Sequence, residues 1–199
     1  MTDTGSVQAA LGAAAGALSA RGRKFALVGG LAVSIRAEVR FTRDVDFAVA
    51  VSSDDDAERL VMGLRADGYQ PLASVEHDTQ ERLATVRLQS PQGVKVDLLL
   101  ASSGIEAEVI ARARPTELDG LGAVAVARAE ELLSLKVLSM TELRLQDRID
   151  ARQLVLCNPD LDLEQVRANL ALITQRGFHR DQDLNAKLEA LLADPAVRP

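Results

Sequence analysis

The stretch FALVGGLAVSIRAEVRFTRDVDFAVAV, Phe25–Val51, decides how the chain is read. An apolar run, Phe25–Val28, ends in Gly29-Gly30. A helical-looking segment follows over about Leu31–Ala37, and a second apolar run opens at Asp44-Val45-Asp46. The spacing predicts strand, glycine turn, helix, strand. Side chains alternate across a strand, so Asp44 and Asp46 share one face while Val45, Phe47, Val49 and Val51 take the other. Two carboxylates side by side repel and cost free energy to hold together unless a cation sits between them. Hard oxygen donors at that spacing suit Mg²⁺, which binds one or two carboxylates together with substrate phosphates.

A site of this kind needs a third donor, and the chain offers one. From Tyr69 to Leu100 the pattern is β: a weak strand over Leu72–Val75, a better one over Leu83–Leu88, a turn at Ser90-Pro91-Gln92-Gly93, then a strong strand over Val94–Leu100. In the last, Val94, Val96, Leu98 and Leu100 share a face while Lys95 and Asp97 share the other. Asp97 either pairs with Lys95, Arg87 or a backbone donor, or joins Asp44 and Asp46. The second reading is preferred because the first two acids already call for a third. Gly29-Gly30 before a helix leaves backbone N–H groups uncovered at its N-terminus, a natural phosphate cradle.

The rest of the chain frames this unit. Val7–Ala20 is an amphipathic helix stopped by Gly22, and another helix runs from Ser53 or Asp54 to about Asp67. The acids Asp54, Asp55 and Asp56 are read as favourable charge at that helix N-terminus rather than as a metal cluster. Ile105–Arg112 is a short helix, and Arg114–Leu118 with Ala123–Val126 a hairpin around Asp119-Gly120. From Arg128 the chain turns helical. Lys136, Met140, Leu143, Asp147 and Asp150 form a single stripe if one helix carries them all. Asp162 with Gln165 resembles a capping box, and Leu184–Leu192 is a last amphipathic helix.

With 199 residues, 47% of them hydrophobic, the chain can build a real core. It has four Phe, one Tyr and no Trp, which argues against base stacking as a main binding device. A net charge of −6 argues against a broad phosphate-gripping surface but leaves room for a local basic patch. The candidates for such a patch are Arg21, Arg23, Arg36, Arg40 and Arg43, with Arg112, Arg114, Arg144 and Arg148. The single cysteine, Cys157, lies among Leu154, Val155 and Leu156 and is expected in the core; it excludes a disulfide framework. His77 and His179 are too isolated for a zinc site. No membrane-length apolar run or secretory signal is present, so a cytoplasmic location is expected.

Four blocks together resemble the DNA polymerase β-like nucleotidyltransferase superfamily, and within it the AbiE-type nucleotidyltransferases of type IV toxin–antitoxin systems. They are Val28-Gly29-Gly30; Arg40-Phe41-Thr42-Arg43-Asp44-Val45-Asp46-Phe47; Lys95-Val96-Asp97-Leu98-Leu99; and Glu130–Lys136 followed by Arg144, Asp147 and Asp150. The resemblance implies an α+β fold, a mixed sheet with flanking helices and a C-terminal helical bundle, divided into a core over 1–127 and a helical region over 128–199. It implies transfer of a nucleoside monophosphate from an NTP to an acceptor hydroxyl, with release of pyrophosphate and two Mg²⁺ ions. Asp44, Asp46 and Asp97 would be the metal ligands and catalytic acids, and Gly29 and Gly30 would hold the β- and γ-phosphates. Arg40, Thr42, Lys136, Asp147 and Asp150 would complete the nucleotide site. The acceptor could be tRNA, a protein or a small molecule, and an antitoxin could be a partner. Gly30 supplies no serine hydroxyl, and Gln146 stands where the family usually has a basic residue. A non-catalytic nucleotide-binding protein that keeps the fold is the alternative.

Overall fold

The computed structural model describes residues 4–77 and 82–195. Its centre is a seven-stranded mixed sheet in the order β3-β4-β5-β2-β1-β7-β6. β1 (Phe25–Val28) and β2 (Asp44–Val49) are antiparallel and joined through α2 (Gly29–Arg36). β5 (Lys95–Leu99) runs parallel to β2 on its other side, and β3 (Gln70–His77) and β4 (Arg82–Gln89) continue that half antiparallel. The hairpin β6 (Arg114–Leu118) and β7 (Gly122–Val126) closes the far edge, with β7 parallel to β1.

The expected alternation is what sets the sheet's two faces. Val45, Phe47 and Val49 of β2 and Val96 and Leu98 of β5 are all at most 1% exposed. Asp44, Asp46 and Asp97 project from the opposite side of the same strands. α1 (Thr4–Ala20), with Val7, Leu11 and Leu18 buried, packs on β2, as does α4 (Glu106–Arg112). α3 (Asp54–Ala66) starts as read: the Ser53 hydroxyl accepts from the Asp56 N–H, and Arg23 donates to both Asp56 oxygens at 2.7 Å. The Arg23 bond first, then those from the Ser52 N–H and hydroxyl, hold the Asp56 carboxyl well below its ordinary range.

Four helices complete the chain: α5 (Ala129–Ser139), α6 (Leu145–Cys157), α7 (Leu163–Gln175) and α8 (Leu184–Ala193). Asp162 and Asp183 cap the last two by accepting from Gln165 and Ala186 N–H groups. The condition for a single stripe is not met: the helix from Arg128 stops at Ser139, and α6 begins afresh at Leu145, so Lys136 and Asp147 lie on different helices. One expectation is corrected. Cys157 is exposed rather than core, because the buried face of α6 runs Asp147, Asp150, Ala151, Leu154 and the last turn projects past it. Among the described residues, no helix is long and apolar enough to cross a membrane.

Candidate active site

Asp46 and Asp97 are register partners on adjacent parallel strands, with Asp44 two residues before Asp46 on the same face. Neighbouring strands lie about 4.8 Å apart, so three acids occupy one small area of sheet. Asp46 sits deep in the fold with part of its surface still open to the cleft. Burial, followed by the charge of Asp97, pushes its carboxyl up to about 7, against the relief given by Lys136 and by the Gly30 N–H that donates to it.

The two glycines are required by contact as well as by turn geometry. Val28, the last residue of β1, pairs with Asp46, so the chain turning at Gly29 passes over that carboxylate. Gly29 has φ +64, and a Cβ there would stand 2.0 Å from Asp46 Oδ2. A Cβ on Gly30 would stand 2.6 Å from Arg40 Nη2 and 2.9 Å from Thr42 Oγ1. The pair therefore draws Asp46, Arg40 and Thr42 against the start of α2. Ser34 on α2 fixes the loop beyond it, since its hydroxyl accepts from the Arg40 N–H.

The α5 and α6 residues meet even though one helix does not carry them. Lys136 Nζ lies 2.7 Å from Asp147 Oδ1 and 2.7 Å from Asp150 Oδ2. Asp150 also receives Arg40 at 2.7 Å and the Gln146 amide at 2.8 Å, while Arg144 pairs with the other Asp147 oxygen at 2.8 Å. Burial would raise the Asp150 carboxyl, but the bonds from Lys136 and Arg40 outweigh it and leave it below its ordinary range. Gln146 thus serves Asp150, and both acids hold Lys136. An ammonium has three N–H donors, and two are engaged here.

These groups, apart from Ser34 and Asp150, line one open cleft of about 1380 Å³. Of the arginines suspected from the sequence, Arg40, Arg43 and Arg144 line it. Arg21 goes instead to Asp67 and the Gly63 carbonyl, Arg23 to Asp56, Arg36 to the Val126 and Ala127 carbonyls, Arg112 to Glu131 and Asn169, and Arg148 to Asp194. Two further arginines reach the cleft. Arg87 donates through Nε and Nη2 to Asp97 Oδ1 and Oδ2 at 2.8 and 2.6 Å. Arg180 comes from the α7–α8 loop, where it and Asp181 both hold positive φ, 56 and 55. No glycine marks that conformation in the sequence.

A divalent cation suits these residues by chemistry: three carboxylates share a face, and burial, with the charges of Asp97 and Asp44 added to it, raises Asp46. Their present disposition is closed by Arg87. Among the described residues, no group of three or more His, Cys, Asp or Glu side chains is arranged to hold a metal ion.

The fold is shared with known proteins. A nucleotidyltransferase-like antigen of Paracoccidioides brasiliensis superposes with TM-score 0.53 at 17% identity, covering 94% of this chain and 94% of that one. The antibiotic-resistance factor ANT(2'')-Ia superposes with TM-score 0.52 at 17% identity, covering 96% and 97%. No curated protein matches the sequence significantly. The family model for the nucleotidyl transferase AbiEii toxin of type IV toxin–antitoxin systems matches residues 13–199, nearly the whole chain. With its mixed sheet and three-acid face, this nucleotidyltransferase belongs to the AbiEii toxin family.

Proposed function

We propose that this enzyme moves a nucleoside monophosphate from an NTP to an acceptor hydroxyl. The observation that carries the reading is the convergence of Asp44, Asp46 and Asp97 on one sheet face beside the Gly29-Gly30 turn, with Lys136 close enough to act on Asp46. Core residues 1–127 would supply the acids and the turn, and helical residues 128–199 the lysine wall. The acceptor oxygen attacks the α-phosphorus, the bond from that phosphorus to the bridging oxygen breaks, and pyrophosphate leaves. The hydroxyl proton passes to the Asp97 carboxylate. Lys136, held by Asp147 and Asp150, turns its remaining donor to the triphosphate, and Arg40 and Thr42 border the same turn. Two Mg²⁺ ions held by Asp44, Asp46 and Asp97 would offset charge on the phosphates and orient the nucleotide.

Arg43, Arg144 and Arg180 line the cleft of a chain that is acidic overall, which supports an anionic acceptor such as tRNA. Membership of a type IV toxin family supports an antitoxin partner. The test is incubation of the protein with α-labelled NTPs and a cell extract, followed by separation of RNA, protein and small molecules. Label should enter the RNA fraction with wild type and stay at background with Asp44→Ala and Asp46→Ala variants that retain their circular dichroism. Equal labelling by those variants would remove the three acids from the chemistry, and label in another fraction would reassign the acceptor.

A further inference from the structure

The contact between Arg87 and Asp97 has a consequence for how the acid site is filled. The two residues stand opposite each other in the antiparallel β4–β5 pairing, so the bond follows from sheet register rather than from a chance surface approach. Two parallel N–H···O bonds join a planar guanidinium to a carboxylate, the arrangement in which arginine binds carboxylates best. Both Asp97 oxygens are engaged. The Arg87 side chain is 46% exposed against 10% for Asp97, so the cation is the partner with room to leave.

Arg87 also differs from the other cations of the cleft in what it touches. Lys136, Arg40 and Arg144 are bonded to Asp147 and Asp150, which belong to the helical wall. Arg87 is bonded to one of the three sheet acids and feels the charge of the other two. It therefore stands in for positive charge where the acids crowd together.

We propose that Arg87 is a resident counter-ion which a divalent cation must displace: the two compete for the Asp97 carboxylate. In the metal-free enzyme the guanidinium keeps Asp97 neutralised and in place. On loading, the side chain swings out through the open side of the cleft and Asp97 joins Asp44 and Asp46. Apparent metal affinity is then the intrinsic affinity multiplied by the fraction of molecules in which Arg87 has let go. The inference rests on the three-acid cation site proposed above.

The experiment counts free Mn²⁺ by electron paramagnetic resonance in titrations of nucleotide-free wild type, Arg87→Gln, Arg87→Lys and Asp46→Asn. Arg87→Gln should bind Mn²⁺ about threefold to tenfold more tightly than wild type, the worth of a half-exposed ion pair. Arg87→Lys, which makes one contact in place of two, should fall between them. Thermal unfolding gives a second readout: Arg87→Gln should be less stable than wild type in EDTA and equal to it in saturating Mn²⁺. If Arg87 instead supports Asp97 as a ligand, its loss weakens Mn²⁺ binding. Weaker or unchanged binding overturns the competition while leaving the cation site standing, provided wild type binds and Asp46→Asn does not. If no variant, wild type included, binds Mn²⁺, the cation site falls and the competition with it.

Discussion

Two sets of acids serve one cleft, and the fold treats them in opposite ways. Asp147 and Asp150 on α6 are 6% and 1% exposed, yet each is met by cations: Lys136 bridges them, Arg40 takes Asp150 with the Gln146 amide beside it, and Arg144 takes Asp147. Asp44, Asp46 and Asp97 on the sheet crowd together, and the guanidinium bonded among them is that of Arg87, on Asp97. The helical set is charge-balanced and holds its shape; the sheet set is short of positive charge. A balanced buried cluster is scaffold, because removing any member leaves an uncompensated charge. An unbalanced one near solvent is a receptor for whatever cation arrives. Position in a cleft does not distinguish the two, but charge compensation does.

The largest effect expected from this contrast is on stability. Lys136→Met removes the ammonium shared by two buried carboxylates and should cost about 3–5 kcal/mol. Calorimetry should show a fall of roughly 10 °C in Tm. Asp46→Asn, on the sheet, should leave Tm unchanged or raise it while abolishing transfer. A Lys136→Met protein as stable as wild type would mean the helical set is not scaffold, and the contrast would be lost.

The sheet set was readable from sequence because period-two alternation places side chains without knowledge of the fold: Asp44 and Asp46 against Val45 and Phe47, and Asp97 against Val96 and Leu98. The helical set was read as a stripe on the condition that one helix carried it, and that condition fails. Lys136, Met140, Leu143, Asp147 and Asp150 fit a helical stripe, but α5 ends at Ser139, and Met140–Arg144 contains neither Gly nor Pro to announce the break. The residues meet because two helices pack, a tertiary fact that local spacing matched by coincidence. Arg87 was one of several partners that Asp97 might take, and the choice depended on β4–β5 register. Arg180 had no sequence signal, since its left-handed backbone carries no glycine. The arginines near Phe25 in sequence dispersed because Arg21, Arg23 and Arg36 leave their elements in directions that only packing decides.

The two glycines allow a finer test of how the acids are seated. Gly29→Ala forces an L residue into φ +64, at about 1–2 kcal/mol, and drives a methyl into the Asp46 carboxylate. Gly30→Ala meets the ends of Arg40 and Thr42 side chains, which can shift. Gly29→Ala should therefore lower Tm by several degrees and reduce transfer at least tenfold, about 1.4 kcal/mol in the barrier. Gly30→Ala should change Tm by less and act mainly on the KM for NTP. The reverse ranking would show that the glycine beside Arg40 and Thr42, not the one against the Asp46 carboxylate, governs the turn.

The smallest effect, and the most direct measure of the missing positive charge, is the pH dependence of metal-free stability. The Asp46 carboxyl is raised from an ordinary 3.8 to about 7 in the folded state, first by burial and then by Asp97. The native protein consequently holds a proton that the unfolded chain has released over the window between those values, so stability declines as pH rises from about 4 to about 7. Asparagine mimics the protonated acid and has no such slope. In EDTA, the Tm difference between Asp46→Asn and wild type should be near zero at pH 4.5 and grow to a few degrees by pH 8, moderated by the cleft water that reaches Asp46. Saturating Mg²⁺ at pH 8 should then raise wild type and leave Asp46→Asn where it is, since the variant has lost the charge that calls for the ion. A Tm difference independent of pH would mean that the three acids do not burden one another, and the sheet set would be as self-sufficient as the helical one.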